Sequence, residues 1–109
     1  MSCLNKNHRI KSKKEFNKLY ATKKKFHTDS FVFFYIKHDC LKLGFVASKK
    51  VGNAIKRNKA KRRLRAMILR HDKNLKTGSY LFVAKHNIND TNSQTLKKQF
   101  DFVFKKVFL

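Results

Sequence analysis

Between positions 12 and 24, SKKEFNKLYATKK sets Phe16, Leu19 and Tyr20 at i, i+3 and i+4 among lysines. That spacing puts the apolar side chains on one face of a helix and the charges on the rest. Ser12 with Glu15 three residues later is the capping-box spacing, so a short amphipathic helix is predicted to start there. The next two segments, SFVFFYIK and LKLGFVASK, are rich in aromatic and β-branched residues. Separated only by the polar HDC, they predict two antiparallel strands joined by a tight connection. In the first of them Phe31, Phe33 and Tyr35 point one way and Val32, Phe34 and Ile36 the other. Both sets are apolar, so the strand is either covered on both sides or keeps one face free to stack something flat.

Asn53 is placed to cap a further helix, in which Ala60, Leu64, Met67, Ile68, His71 and Leu75 keep helical spacing and predict a core-facing stripe. Arg57, Lys61 and Arg65, spaced by four, run along a different side, with Arg62 beside them. After Gly78, SYLFVAKH reads as a strand, and TLKKQFDFVFKKVF as a last helix with Leu96, Phe100, Val103, Phe104 and Val107 on one face. The order is α, β, β, α, β, α, with space for an extra short strand near Lys25 to Thr28. This predicts an α+β or α/β sandwich of a small sheet and helices, and strand, basic helix and strand can form a crossover unit between parallel strands. The chain has no proline, three glycines, no repeat and no low-complexity linker, so residues 1–109 read as one domain.

Charge changes the picture from fold to partner. Lys and Arg total 28 against 6 acids, a formal charge of +22 on 109 residues. Between positions 49 and 66, KKVGNAIKRNKAKRRLRA holds nine cations and no acid. An ordinary surface helix interleaves acids for i, i+4 pairs, and this one does not. Self-repulsion of this size is relieved by a polyanion, with nucleic acid the leading class and an anionic membrane surface the second. The stretch Lys56 to Arg65 lacks the continuous bulky apolar face of an interfacial anchor, which disfavours the membrane. With 41% hydrophobic residues and eleven Phe, the chain has the means to bury a core and is not a solvated tail. No apolar run reaches transmembrane length or follows a secretory pattern. Cys3 and Cys40 form no disulfide framework, so reduced thiols and a cytoplasmic location are expected.

Candidate chemistry within the chain is sparse. The acids are Glu15, Asp29, Asp39, Asp72, Asp90 and Asp101, no two of them in a close motif, so catalysis by this chain alone is not expected. His8, His27, His38, His71, His86 and the two cysteines show no metal-ligand spacing, and no bound metal is expected. Gly52 lacks a phosphate-loop pattern, although a helix N-terminus at Asn53 beside Lys49 and Lys50 attracts phosphate. Single-stranded RNA is commonly held by aromatic rings beside a basic groove, whereas duplex DNA is read by a recognition helix. Phe16 and Tyr20 on a lysine-coated helix, near an aromatic strand, fit the single-stranded case, although each alone fits a core position equally well.

The run KKVGNAIKRNKAKRRLR resembles the signature of the protein subunit of bacterial ribonuclease P: Arg-Asn, two variable residues, Lys-Arg, two more and Arg, here Arg57, Asn58, Lys61, Arg62 and Arg65. RIKSKKEFNKLY and LGFVASKKVGNA resemble that family's first helix and its strand running into the basic helix. The resemblance implies an α-β-β-β-α-β-α fold with a small mixed sheet, the basic helix lying in a left-handed βαβ crossover. It implies that a separate RNA is the catalyst and holds the magnesium ions. The protein would bind that RNA and the single-stranded 5′ leader of precursor tRNA, supporting endonucleolytic removal of the leader. By position, Arg57, Asn58, Lys61, Arg62 and Arg65 would face the catalytic RNA. Phe16, Tyr20 and Phe34 would line the leader cleft, with Ser48, Lys49, Lys50 and Lys85 near its rim. The Val32, Phe34 and Ile36 face of the strand would then be the cleft side, a choice the residues alone leave open. Tyr20 stands where the family commonly has phenylalanine and Lys85 where it commonly has arginine, and KHNIND lacks a proline often found there. A tyrosine still stacks, whereas lysine loses the bidentate fork. From a different class, a structural RNA-binding protein such as a ribosome component would carry the same charge without a leader cleft.

Overall fold

Phe26, Phe33, Phe82 and Phe45 come from different strands and form one row of stacked rings across the sheet, with centroid separations of 5.9, 4.7 and 5.7 Å between neighbours. The computed structural model that shows this describes residues 10, 12–39, 41–70 and 76–108. Its elements are α1 (Lys13–Tyr20), β1 (Lys25–His27), β2 (Phe31–Ile36), β3 (Leu41–Ala47), α2 (Ala54–Leu69), β4 (Gly78–Ala84), a 3₁₀ turn (Ile88–Asp90) and α3 (Ser93–Phe108). The order is thus α-β-β-β-α-β-α, and the short strand near Lys25 is present. His71, Leu75 and both cysteines lie outside the described residues.

The strands lie in the order β1-β2-β4-β3. β1 pairs antiparallel with β2, β2 antiparallel with β4, and β3 parallel with β4. The hairpin expected from SFVFFYIK and LKLGFVASK therefore does not form: β4 sits between the two strands. The physical reason is burial, because six of the seven β4 residues are buried, so β4 gains most from a partner on each side. The hairpin forms instead between β1 and β2. There Thr28 Oγ1 donates to Phe31 O at 2.8 Å and accepts from Phe31 N at 3.0 Å, fixing the turn. The β3, α2, β4 unit is the expected crossover between parallel strands.

Local signals explain the helices. Ser12 Oγ accepts from Glu15 N at 3.1 Å, as the capping box requires. The Glu15 carboxylate in turn takes the Ser12 hydroxyl at 3.3 Å and the Lys42 ammonium at 3.1 Å. Asn53 Oδ1 accepts from Lys56 N at 3.0 Å at the start of α2, and Asn92 Oδ1 from Thr95 N at 2.7 Å at the start of α3.

The sheet has two unequal faces. Phe31, Phe33, Tyr35, Leu43, Tyr80 and Phe82 point to one side, where Ala60, Leu64 and Ile68 of α2 and Leu96, Phe100, Val103 and Phe104 of α3 close over them. Such ring pairs add about 0.5–1.5 kcal/mol each beyond the area they bury. On the other side Phe34 and Leu81 meet Leu19 of α1 and Ile10, with Val32, Ile36, Val46 and Val83 only partly buried. Eight helical residues cannot cover what two sixteen-residue helices cover opposite.

Beyond the sheet, Arg63 of α2 donates to the carbonyls of Ile88 and Thr91, and Asn89 Nδ2 donates to Lys56 O at 3.0 Å. Together they clamp the 3₁₀ turn to the helix, with Ile88 fully buried beneath. Arg63 is thereby internal structure, while Arg62 beside it is exposed. Arg63→Ala is expected to lower unfolding free energy by about 1.5–3 kcal/mol, and Arg62→Ala by less than about 0.5 kcal/mol, in urea denaturation. Gly78 opens β4 at φ +147, and a Cβ there would lie 2.5 Å from the Tyr35 ring. Tyr35 cannot swing away freely, since its hydroxyl donates to Thr77 O at 2.9 Å. Gly78→Ala is accordingly expected to cost at least about 2 kcal/mol in the same assay, from backbone strain and overpacking together.

Candidate nucleic-acid interface

The basic helix presents the predicted residues on a rigid rod. No acid falls between Asp39 and Asp72, so α2 contains no internal ion-pair partner for its own cations. Ala60, Leu64 and Ile68 anchor it to the core, with Met67 half-buried beside them. That leaves Arg57, Lys61 and Arg65 in a line along its flank. Arg57 and Lys61 are half-buried at their stems, and Asn58, Arg62 and Arg65 are exposed. The Arg65 guanidinium lies 5.6 Å from the centre of the Phe45 ring of β3, which holds the charge at the sheet edge. Arg57 Nε is buried with no hydrogen-bond partner, so its donor is unsatisfied in the free protein.

Ahead of α2, the turn that carries Ser48, Lys49 and Lys50 is held by Val51 N to Ser48 O at 3.0 Å and Gly52 N to Lys49 O at 3.1 Å. Val51 is buried and pins the turn, while all three predicted residues are exposed. Ala47 and Ala84 are register partners in the parallel pair, so Ser48 and Lys85 follow each other across the ends of adjacent strands. The Lys85 ammonium donates to the carbonyl of Thr28, which ties this rim to the β1–β2 turn.

Register connects that rim to the aromatic residues. Phe34, Leu81 and Gly44 form one row on the less covered face, under α1. The next row, Val32, Val83 and Val46, is half-buried. Beyond it come Lys85 and Ser48. Rows on one face are about 7 Å apart, so the rim stands roughly 13 Å from the Phe34 row. The structure therefore gathers the aromatic and rim residues around one half-open strip.

The three aromatics play different parts. Tyr20 is 46% exposed, Phe16 is half-buried, and Phe34 is only 5% exposed. The Tyr20 ring sits edge-on to Phe34 at 5.3 Å, and the Lys25 ammonium lies 5.4 Å from the Phe34 centroid on another side. Phe34 is thus the floor of the strip, and Tyr20 and Phe16 are the aromatic rings at its more exposed edge. Partial burial pushes the Tyr20 phenol up from its ordinary value, so the ring is neutral around pH 7 and keeps its O–H donor. Lys25 was not among the residues singled out from sequence. Its signal lay in the short strand itself, because pairing of Lys25–His27 with β2 sets Lys25 opposite Phe34.

Among the described residues, no group of three or more His, Cys, Asp or Glu is placed to hold a metal ion. No helix among them is long and apolar enough to cross a membrane.

Comparison with known proteins agrees with this geometry. The family model described as Ribonuclease P matches residues 4–107. A ribonuclease P protein component from a Nitratiruptor species is 37% identical over 98 residues, covering 90% of each chain. One from Streptococcus agalactiae serotype III is 30% identical over 104 residues, covering 94% of this chain and 95% of that one. Among solved structures, a mutant of the Staphylococcus aureus RNase P protein superposes with a TM-score of 0.83 at 27% identity, covering 94% of this chain and 89% of that one. The RNase P protein from Thermotoga maritima reaches a TM-score of 0.76 at 22% identity, covering 90% and 96%, and supports the mixed α+β fold alone. The sheet, the basic helix and these matches converge, and the chain belongs to the ribonuclease P protein family.

Proposed function

We propose that this chain binds a catalytic RNA through α2 and the single-stranded 5′ leader of precursor tRNA through the half-open strip, and so supports removal of the leader to give the mature tRNA 5′ end. The observation that carries the proposal is one juxtaposition. A half-buried valine row is bordered by the Tyr20 and Phe16 rings at one end and by Ser48, Lys49, Lys50 and Lys85 at the other, beside an acid-free helix. Flat apolar floor, ring edge and cationic rim together suit a flexible strand whose bases stack and whose phosphates need neutralising.

In this reading the protein breaks no bond. The RNA subunit supplies the catalytic site and its magnesium ions, in the bacterial cytoplasm. Arg57, Lys61 and Arg65 form a straight cationic line suited to a backbone groove, and Arg62 and Asn58 extend it outward. Arg57 Nε, desolvated and unpartnered, gains the most from a phosphate oxygen. The protein lowers the magnesium requirement by contributing fixed cations where RNA strands would otherwise repel. Tyr20 and Phe16 add affinity for substrate that product lacks, because only the precursor has a leader.

The direct test is cleavage of precursor tRNA by a cognate ribonuclease P RNA at low magnesium, with and without the protein. Stimulation of at least about tenfold is expected, and no stimulation would leave only a structural RNA-binding role. Phe16→Ala with Tyr20→Ala is expected to weaken precursor binding by about tenfold or more, since each base stacked on a ring is worth roughly 1–3 kcal/mol. Mature tRNA should bind these variants unchanged, and equal loss for both forms would show that the rings serve only packing. Arg57→Glu with Arg62→Glu should instead impair assembly with the RNA subunit in a gel-shift titration. Assembly at the original affinity would remove α2 from that role.

A further inference from the structure

A shallow groove of about 350 Å³ lies between the β1–β2 turn and α3, bordered by His27 and Asp29 on one side and by Lys98, Gln99 and Phe102 on the other. β1 is the outer strand at the sheet edge opposite β3. Three strand spacings, roughly 14 Å, therefore separate the groove from the edge along which α2 displays Arg65.

Phe102 is out of phase with the core face of α3 and is 52% exposed, although a large aromatic ring is normally covered. The Lys106 ammonium sits 4.5 Å from its centroid. Gln99 borders the groove and is half-buried, and its Oε1 is covered with no hydrogen-bond partner. Turning that amide toward the groove would give the oxygen the donor it lacks. Asp29 offers a second acceptor on the facing wall, and Lys98 adds a cation.

These groups discriminate among anionic partners. A free phosphate or a lipid headgroup can be met by Lys98, but it has no flat ring to set against the exposed Phe102. A nucleotide satisfies both halves: its ring stacks on Phe102, an exocyclic amino group donates to Gln99 or Asp29, and its phosphate meets Lys98 and Lys106 at the mouth. The volume is near the lower end of small-molecule sites and admits one nucleotide.

We propose that this groove is a second single-stranded RNA subsite, which takes one unstacked base and prefers adenine, cytosine or guanine to uracil, because uracil's one donor, N3–H, lies between two carbonyl oxygens that Asp29 and the Gln99 carbonyl repel, whereas the other bases present an amino group. It does not depend on the leader-cleft assignment, and an oligonucleotide with no tRNA body suffices to test it.

The test uses the full chain carrying Phe16→Ala and Tyr20→Ala, so that the first strip is weakened, titrated with hexa-adenylate and hexa-uridylate. Binding is followed by fluorescence anisotropy and by backbone amide shifts. Hexa-adenylate should move amides at 27–29 and 98–102 and bind about three- to tenfold more tightly than hexa-uridylate. Adding Phe102→Ala should weaken hexa-adenylate by about tenfold. Gln99→Leu should narrow the preference between the two oligonucleotides while leaving hexa-uridylate unchanged. Both side chains lie off the fully buried core, and an unchanged amide spectrum elsewhere confirms folding. Shifts confined to α2 and the rim, or unchanged affinity in Phe102→Ala, would overturn the proposal. So would a dimer in sedimentation velocity that Phe102→Ala dissolves, because a second copy would then be the occupant.

Discussion

Like-charge repulsion has to be outweighed before this chain can fold at all, and the stacked phenylalanine rows are what outweigh it. One ring from each strand, Phe26, Phe33, Phe82 and Phe45, crosses the whole sheet, and Phe100 of α3 packs on the middle of the row at 5.2 Å from Phe82. Each ring buries a large apolar area and restricts its neighbours, so the row fixes strand register as well as stability. With a net charge of +22, a chain of 109 residues needs a core of that density.

The same arrangement decides which face of the sheet stays open for the RNA contact proposed above. Since α2 and α3 are both spent on the phenylalanine face, α1 and Ile10 are what cover the opposite face among the described residues. A half-covered apolar strip results, and the strand ends beside it carry Ser48, Lys49, Lys50 and Lys85. The crossover from β3 to β4 then places α2 against the β3 edge, so that the acid-free line of cations is held by the core and cannot fold back on an acid of its own helix. Core packing and the proposed binding surface are two sides of one sheet.

Much of this was legible in the sequence because it is local. The capping residues Ser12 and Asn53, the stripe Ala60, Leu64 and Ile68, the face Leu96, Phe100, Val103 and Phe104, and the spacing of Arg57, Lys61 and Arg65 depend only on periodicity within one element. Strand order is not local. The period of two in β2 reports that both its faces are apolar, and neither that nor the pattern of β3 says which strand lies between the others. The short link through His38 and Asp39 therefore pointed to a hairpin that the burial of β4 prevents. Arg63 is indistinguishable by type from its neighbours, and only the distant Ile88 turn makes it internal. The resemblance alone places Phe34 in the cleft lining, and nothing within its own strand shows that Tyr20 packs edge-on against it. Phe102 carried a readable signal, an aromatic off the apolar face of its helix, and the neighbouring turn that gives it a setting comes from far upstream in the chain.

The cations of α2 have no acid within their own helix, and a polyanion is what can neutralise them. Affinity for ribonuclease P RNA measured against salt concentration reads this out, because each phosphate contact releases condensed counterions. With about six to ten contacts, the logarithm of affinity should fall linearly with the logarithm of salt, losing roughly three to five decades between about 50 and 200 mM. Affinity that stays level over that range would contradict the claim and would place the binding energy in apolar or hydrogen-bonded contacts instead.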